Sequence, residues 1–547
     1  MTPTDDWWRH GVIYQVYPRS FADSDGDGTG DLRGLISRLD HLNDGTPDSL
    51  GVDAIWLSPI YPSPGRDLGY DVSDHTTVDP LFGSLDVFDE LVRECHRRGI
   101  RVVLDLVMNH TSDEHPWFRA SRSSREDPKR DWYIWRSATA GRNYPNNWRS
   151  FFGGSAWEWD APTGQFYLHT FLREQPDLNW RNPEVVTAML EMVRGWLERG
   201  VDGFRLDVFN AFYKHADLPD NPRRLAWRAY DRQHHVHDKN RPELFDFLRR
   251  FRSLLDEKPG RMSVGELFGG TPRDAAAYSG QAADRLHMVF NFRFLQQPWR
   301  PAAIQRTVLE WEQVLRGEWP CWVLGNHDQP RLVTRYAGGR PAAEQDAVAK
   351  VAATLLLTLR GTPFIYYGEE IGMQDARVPR SRMRDTPATR FSRIAGFPSR
   401  DPCRSPMQWD DSPAAGFTAG EPWLPFAADH ATRNVARQAA DPGSVLSWYR
   451  RLIWARRASP ALHEGTFRPL LRRPTAVMAY LREAAGQRVL VALNFSAGTA
   501  RLELDEPLGG TWTACLGTHA ESGDSRLRGG RRLELAPYEA LLLEEQS

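Results

Sequence analysis

Short apolar runs, each ending in polar or small residues, recur along the chain: GVIYQVYP (11–18), AIWLSPI (54–60), RVVLDLV (101–107), GFRLDVF (203–209), RMSVGEL (261–267), HMVFNF (287–292), CWVLGNHD (321–328) and GTPFIYYGEE (361–370). Their lengths are those of buried strands. Between several of them the period changes to that of a helix. In SLDVFDELVRECHRRG, Phe88, Leu91, Val92 and Cys95 recur at i, i+3, i+4 and i+7, and Gly99 ends the pattern. Val186, Met189, Leu190, Val193, Trp196 and Leu197 repeat it, as do Leu244, Phe247, Leu248, Phe251 and Leu255. Strands alternating with helices in this number predict an α/β protein, a (β/α)8 TIM barrel with its reaction site at the C-terminal strand ends. A doubly wound open sheet shares the alternation, but no glycine-rich phosphate loop follows the first strand.

Two stretches depart from the alternation. Between the third and fourth runs lies a segment far longer than an ordinary strand–helix connection, rich in Trp, Asn, Gly and Arg (GRNYPNNWRSFFGGSAWEWD). It predicts a small inserted domain over the barrel mouth. After SVLSWYRRLIWARRASPAL the period becomes two, and AVMAYLREAAGQRVLVALNF reads as two strands joined by a glycine-containing turn. The expected division is a catalytic barrel of residues 1–108 and 178–459, an inserted domain of 109–177, and a C-terminal antiparallel β-sandwich domain of 460–547.

Composition narrows the partners. Among 547 residues, 69 Lys and Arg against 71 Asp and Glu give a net charge of −2, so neither nucleic acid nor an anionic membrane is expected. No uncharged run of about 20 apolar residues is present, and MTPTDDWWRH is not a signal peptide. Cys95, Cys321, Cys403 and Cys515 are scattered, without metal or disulfide spacing, so a cytoplasmic location is expected. The 21 Trp offer flat faces for stacking on sugar rings or bulk for a large core. The oligomeric state is left open.

The run GFRLDVFN (203–210) carries Arg205 and Asp207 on one strand face, with Phe204, Leu206 and Val208 on the other. Alone, the pair could be a solvated ion pair on an edge strand. In a barrel it joins Asp105 and His110 after the third strand, Glu266 after the fifth, and His327 and Asp328 after the seventh. So many charges in one mouth are costly as structure and point to catalysis. Paired carboxylates without a redox motif suggest glycosyl transfer: one attacks the anomeric carbon, and a protonated second serves the leaving oxygen. Arg205 is expected to keep Asp207 ionised, while Val264, Leu267 and neighbouring acids raise the pKa of Glu266. Asp328 is a third acid, placed to bind sugar hydroxyls.

In order along the chain, DLVMNH (105–110), QPDLNW (175–180), GFRLDVFN (203–210), VGEL (264–267) and NHDQPR (326–331), flanked by VIYQVYPRSF, GTPFIYYGEEIGM and PMQWD, resemble glycoside hydrolase family 13, the α-amylase family, and within it the α-glucosidase and oligo-1,6-glucosidase group. The resemblance implies Asp207 as nucleophile, Glu266 as acid/base and Asp328 as transition-state stabiliser. It implies a nonreducing-end glucose held by Asp67, Tyr70, His110, Arg205, His327 and Arg404, and a small oligosaccharide as substrate. Val208 matches a position where Val accompanies α-1,6 or mixed activity and Thr or Ala accompanies α-1,4 restriction. His75 stands where relatives usually carry Tyr. The expected function is a retaining, exo-acting α-glucosidase. A transglucosylase, trehalose synthase or sucrose isomerase shares the motifs. A non-catalytic relative, such as a transporter heavy chain, would carry a membrane anchor and lack intact carboxylates.

In DSDGDGTGD (23–31), Asp23, Asp25, Asp27 and Asp31 alternate with small residues, as oxygen ligands do in a Ca²⁺ loop, with the Thr29 carbonyl at position 7. The absence of a Glu at position 12 excludes an EF-hand; an acidic turn is the plain alternative. Relatives hold one Ca²⁺ in the matching loop, so the resemblance implies a structural cation. HHVH (234–237) reads as polar surface rather than a zinc site, because Val236 breaks the ligand spacing. Of the arginine-rich segment 374–404, expected to be a long loop near the mouth, only Arg404 is assigned a role.

Overall fold

A computed structural model describes residues 6–138, 141, 143–279, 284–395, 398–484, 486–519, 527 and 530–546, with the side chains of 391–395 left aside. Every apolar run noted above contributes a strand: β1 (Ile13–Val16), β2 (Ala54–Leu57), β3 (Arg101–Leu106), β4 (Gly203–Leu206), β5 (Met262–Gly265), β6 (Met288–Val289), β7 (Cys321–Val323) and β8 (Thr362–Tyr366). They form one parallel sheet in the order β7-β8-β1-β2-β3-β4-β5-β6. A parallel bridge between Phe290 and Cys321 spans the remaining gap between β6 and β7, so the sheet curls into a barrel.

Period-two side-chain alternation separates two cores. Inward residues, among them Ile13, Trp56, Val103, Val264, Met288, Val323 and Phe364, pack together inside the barrel. Outward residues such as Leu104, Phe204 and Leu206 join the helices in the main core. The helix Leu85–Arg97 buries the expected Phe88, Leu91, Val92 and Cys95. Ser84 caps its first turn by accepting from the Val87 amide. Gly99 takes the left-handed φ of +72° that ends such a helix without a Cβ clash.

Within 109–177, strands Trp135–Arg136, Gln165–Leu168 and Trp157–Asp160 form a three-stranded antiparallel sheet in that spatial order. A buried ammonium ties this segment to the barrel. Lys214 donates to Asn109 (3.0 Å) and to the Ala211 carbonyl, and lies 2.9 Å from Asp177. Asp177 also accepts from the Thr170 amide (2.8 Å).

The C-terminal strands Thr466–Pro469, Val477–Ala484, Gln487–Asn494, Ala540–Gln546 and Thr511–Gly517 form an antiparallel sheet, faced by the pair Ala500–Glu503 and Arg532–Leu535. Ala479, Leu481, Leu490 and Ala492 pack with Leu502, Leu533 and Leu535 between these layers. The alternate residues Met478, Tyr480, Val491 and Leu493 belong to the core shared with the barrel helices. Both faces of this sheet are therefore buried, which explains its nearly unbroken apolar strands.

Candidate active site

The site begins where the inward-facing rows of the barrel stop being apolar. On β3, Val103 is followed two residues on by Asp105. On β4, Gly203 is followed by Arg205 and Asp207; on β5, Val264 is followed by Glu266. Strand register sets Asp105 beside Arg205 and Arg205 beside Val264. Arg205 is 1% exposed and lies over the Trp56 ring, 5.2 Å from its centroid. Its guanidinium donates to Asp105 (2.7 Å), to Asp207 (2.8 Å) and to Glu266. The Tyr70 hydroxyl donates to the other Asp105 oxygen at 3.0 Å.

One cation thus serves three carboxyls in a dry place, and the pKa values follow. Burial pushes Glu266 well above the ordinary carboxyl range; Asp207 and Asp328 push it further, against the pull of Arg205. Asp207 also rises. Burial is again the main cause, opposed by Arg205 and by a hydrogen bond from Glu266. The expectation that Arg205 would hold Asp207 in its ordinary ionised range meets a larger desolvation cost. Asp328 behaves oppositely. Burial would raise it, but His327, Arg400 and Arg404 hold its carboxyl well below the usual range.

The other expected residues converge on the same mouth. The His327 ring stacks on Tyr70 at 5.2 Å, and its Nδ1 lies 2.9 Å from the Gln15 amide. Arg404 donates to the His327 carbonyl (2.7 Å) and to Asp328 (2.9 Å). His110 Nε2 lies 3.0 Å from the Tyr70 carbonyl. Gln175 donates to Asp67 at 3.1 Å and lies 3.1 Å from His110. The QPDLNW motif thus reaches the site through Gln175, whose own role the sequence did not reveal.

Arg400 was missed altogether. It donates to Asp67 (2.6 Å), to Asp328 (3.2 Å) and to the fully buried Asp385 (2.7 Å). Its spacing of four from Arg404, just before the short 3-10 turn Asp401–Arg404, was the available signal.

Asp67, Tyr70, His110, Asp207, Glu266, His327, Asp328 and Arg400 line a cavity of about 560 Å³, while Arg205, Gln175 and Arg404 act from behind them. Phe151, Phe152, Phe171, Phe268 and Phe292 form an apolar wall beside Tyr70, His110 and His327, and no tryptophan is among the lining residues. Val208 lines it too, packed with Phe152, Phe171 and Leu172. Its φ of +36° and ψ of 37° place a β-branched residue in the left-handed region, an outlier immediately after Asp207. His75, by contrast, stands outside the cavity. It is buried beside Tyr61, His115 and Trp117, with Nε2 2.8 Å from the Val107 carbonyl.

In the acidic loop, carboxylate oxygens of Asp23, Asp25 and Asp27 lie within 4.8 Å of one another. Asp23 accepts from the amides of Gly26 and Gly28 at 2.8 Å, and Asp27 from the Thr29 amide at 2.7 Å. Asp31 is used differently. Its carboxylate accepts from Ser24 and caps the helix Leu32–Ser37 through the Gly34 amide. Three of the five expected ligands are therefore gathered and a fourth is committed elsewhere. In HHVH, His235 pairs with Asp238 at 2.7 Å and stacks on Tyr230.

Residues 15–465 match the α-amylase catalytic domain, and residues 467–542 match the maltogenic amylase C-terminal domain. The chain is 45% identical over 528 residues to a probable α-glucosidase of Rhizobium meliloti (strain 1021), covering 93% of this chain and 94% of that one. It is 41% identical over 531 residues to the oligo-1,6-glucosidase of Parageobacillus thermoglucosidasius, covering 91% and 92%. The crystal structure of the α-glucosyl transfer enzyme XgtA superposes with a TM-score of 0.91 at 42% identity over the full length of both chains. With the barrel, the ordered motifs and these matches in agreement, the chain belongs to the α-amylase family of glycoside hydrolases, family 13.

Proposed function

We propose that this hydrolase is a retaining, exo-acting α-glucosidase that cleaves the terminal bond of short α-glucosides of the maltose and isomaltose type. The observation that carries the reading is the convergence of Asp207 and Glu266 on the single Arg205 guanidinium. Two carboxyls held by the same guanidinium suit the close pair of a retaining enzyme rather than the separation of about 6.5–9.5 Å that admits an inverting enzyme's water. Asp207 attacks the anomeric carbon as Glu266 gives its proton to the departing oxygen, leaving a β-linked glucosyl ester. Glu266, now a base, takes a proton from water, which displaces Asp207 and restores the α-anomer. Asp328, kept anionic by its cations, stabilises the oxocarbenium-like transition state. Asp67, Tyr70, His110, His327 and Arg404 hold the nonreducing glucose.

The likeness to XgtA favours a second outcome at the same centre. The phenylalanine wall repels water, and a sugar hydroxyl that replaces water turns hydrolysis into α-glucosyl transfer. A purely binding role is disfavoured by intact carboxyls gathered on one guanidinium.

Asp23, Asp25 and Asp27 fit a hard divalent cation, most simply Ca²⁺, as oxygen ligands beside the cap of Asp31. Its contribution there is structural. A cytoplasmic setting is proposed on the four free thiols, Cys95, Cys321, Cys403 and Cys515. Among the described residues no helix is long and apolar enough to cross a membrane.

The deciding experiment incubates the protein with maltose, isomaltose, sucrose and trehalose and follows the products by NMR. α-Glucose as the first product from maltose or isomaltose is expected. β-Glucose first, or no glucose from any of the four, overturns the reading.

A further inference from the structure

The opposite end of the barrel carries a second cluster that the reaction does not use. His10 ends the short helix Trp7–His10 just before β1. His463 ends the helix Pro460–His463, which leads into the C-terminal sheet. The two imidazoles, 453 positions apart in sequence, face each other through their Nδ1 atoms at 3.3 Å. That is long for a hydrogen bond, whose donor–acceptor distances run about 2.7–3.2 Å. It matches the edge of a tetrahedron: two nitrogens each about 2.0–2.1 Å from one zinc ion stand about 3.3–3.4 Å apart. The rings meet at 79° with centroids 5.0 Å apart, edge to face rather than stacked. A carboxylate oxygen of Glu464 lies within 4.8 Å of one nitrogen of each ring, on an exposed side chain.

The Arg456 guanidinium does not block the site. It is spent on the carbonyls of Leu357, Gly361 and Leu462.

We propose that His10, His463 and Glu464 bind one first-row divalent transition-metal ion, zinc being the natural occupant, with water completing a tetrahedron. The ion staples the segment entering the barrel to the segment leaving it. Nitrogen, nitrogen and carboxylate oxygen form a borderline donor set that suits zinc over Ca²⁺ or Mg²⁺. The site therefore differs in kind from the all-oxygen loop at 23–27.

The test titrates Co²⁺ into the full-length, chelator-stripped protein and reads the visible d–d bands, which are intense for tetrahedral and weak for octahedral Co²⁺. One equivalent is expected to give intense bands that zinc then bleaches. The bands should vanish in His10→Ala and His463→Ala and persist in Asp25→Ala. Glu464→Gln changes an exposed residue and keeps the test informative if a histidine variant fails to fold; it should bind roughly tenfold or more weakly. Zinc should raise the Tm of the wild type and not that of His463→Ala. Weak octahedral bands in the wild type, bands that survive in a folded histidine variant, or unchanged affinity in Glu464→Gln overturn the proposal.

Discussion

Arg205 sets the chemistry of the mouth because one guanidinium is divided among Asp105, Asp207 and Glu266. The same-face placement of Arg205 and Asp207 was legible from the two-residue spacing. The contact with Glu266 was not, because it crosses between strands whose register no single sequence fixes. Burial raises both Asp207 and Glu266 in the fold, so between the ordinary carboxyl range and the raised values the folded chain binds more protons than the unfolded chain. The stability contributed by this pair is complete below about pH 4 and is lost as pH rises through the folded values. Asp207→Asn removes the nucleophile and one buried charge together. Its kcat should fall by roughly 10⁴-fold or more. Its Tm should exceed that of the wild type by about 1–3 °C at pH 8 and converge with it toward pH 4. Substantial turnover in a sample free of deamidation would contradict the nucleophile assignment, and a lower Tm at pH 8 would contradict the charge argument.

Two short elements carry what periodicity could not. The apolar run 203–209 suggested a strand through Val208, yet β4 stops at Leu206 and the chain turns left-handed at Val208. A positive φ at a β-branched residue leaves no trace in hydropathy; tertiary packing against Phe152 and Phe171 imposes it. The turn fixes the Val208 side chain in the cavity wall beside Asp207. A hydroxyl at this point can bind an incoming sugar hydroxyl where Val offers only methyl contact. Val208→Thr should therefore shift the kcat/KM ratio of maltose to isomaltose toward maltose by up to roughly 10–200-fold. An unchanged ratio, or a wild type inert toward isomaltose, would remove Val208 as the determinant. In the acidic turn, alternation announced the carboxylates but not the diversion of Asp31 to a helix cap. Ca²⁺ added back to the chelator-stripped protein should raise the Tm of the wild type and not that of Asp25→Ala. If calorimetry finds neither a chelation effect nor a Ca²⁺-dependent rise, the loop holds no structural cation.

At the scale of the molecule, eight apolar runs were enough to predict the barrel, because each strand must bury both faces and so advertises itself. What closes the site is contributed from far along the chain and carries no local signature. Arg400 lies in an arginine-rich stretch where composition does not separate a bridging residue from a solvated one, and only the folded chain sets it between Asp67, Asp328 and Asp385. This single side chain fastens the segment after β8 to the mouth while it helps hold Asp328 below the ordinary carboxyl range. Two consequences of Arg400→Ala should be separable. Asp385 is fully buried and held low chiefly by Arg400, so losing that guanidinium would leave its charge only the residue-400 amide and Arg404, at a cost of up to about 3–5 kcal/mol. The segment 374–404 should then become sensitive to limited proteolysis. Asp328 would lose one of its cations and rise. A carboxylate depressed in the fold is ionised above the ordinary range and protonates only as pH falls, so the acid limb of kcat/KM should move to higher pH in the variant. Adding Asp385→Asn removes the orphaned charge and should restore protease resistance. It cannot return a cation to Asp67 and Asp328, so kcat/KM should stay roughly 10²–10³-fold below wild type. Recovery of activity together with protease resistance in the double variant would show that Arg400 acts only by holding the segment in place.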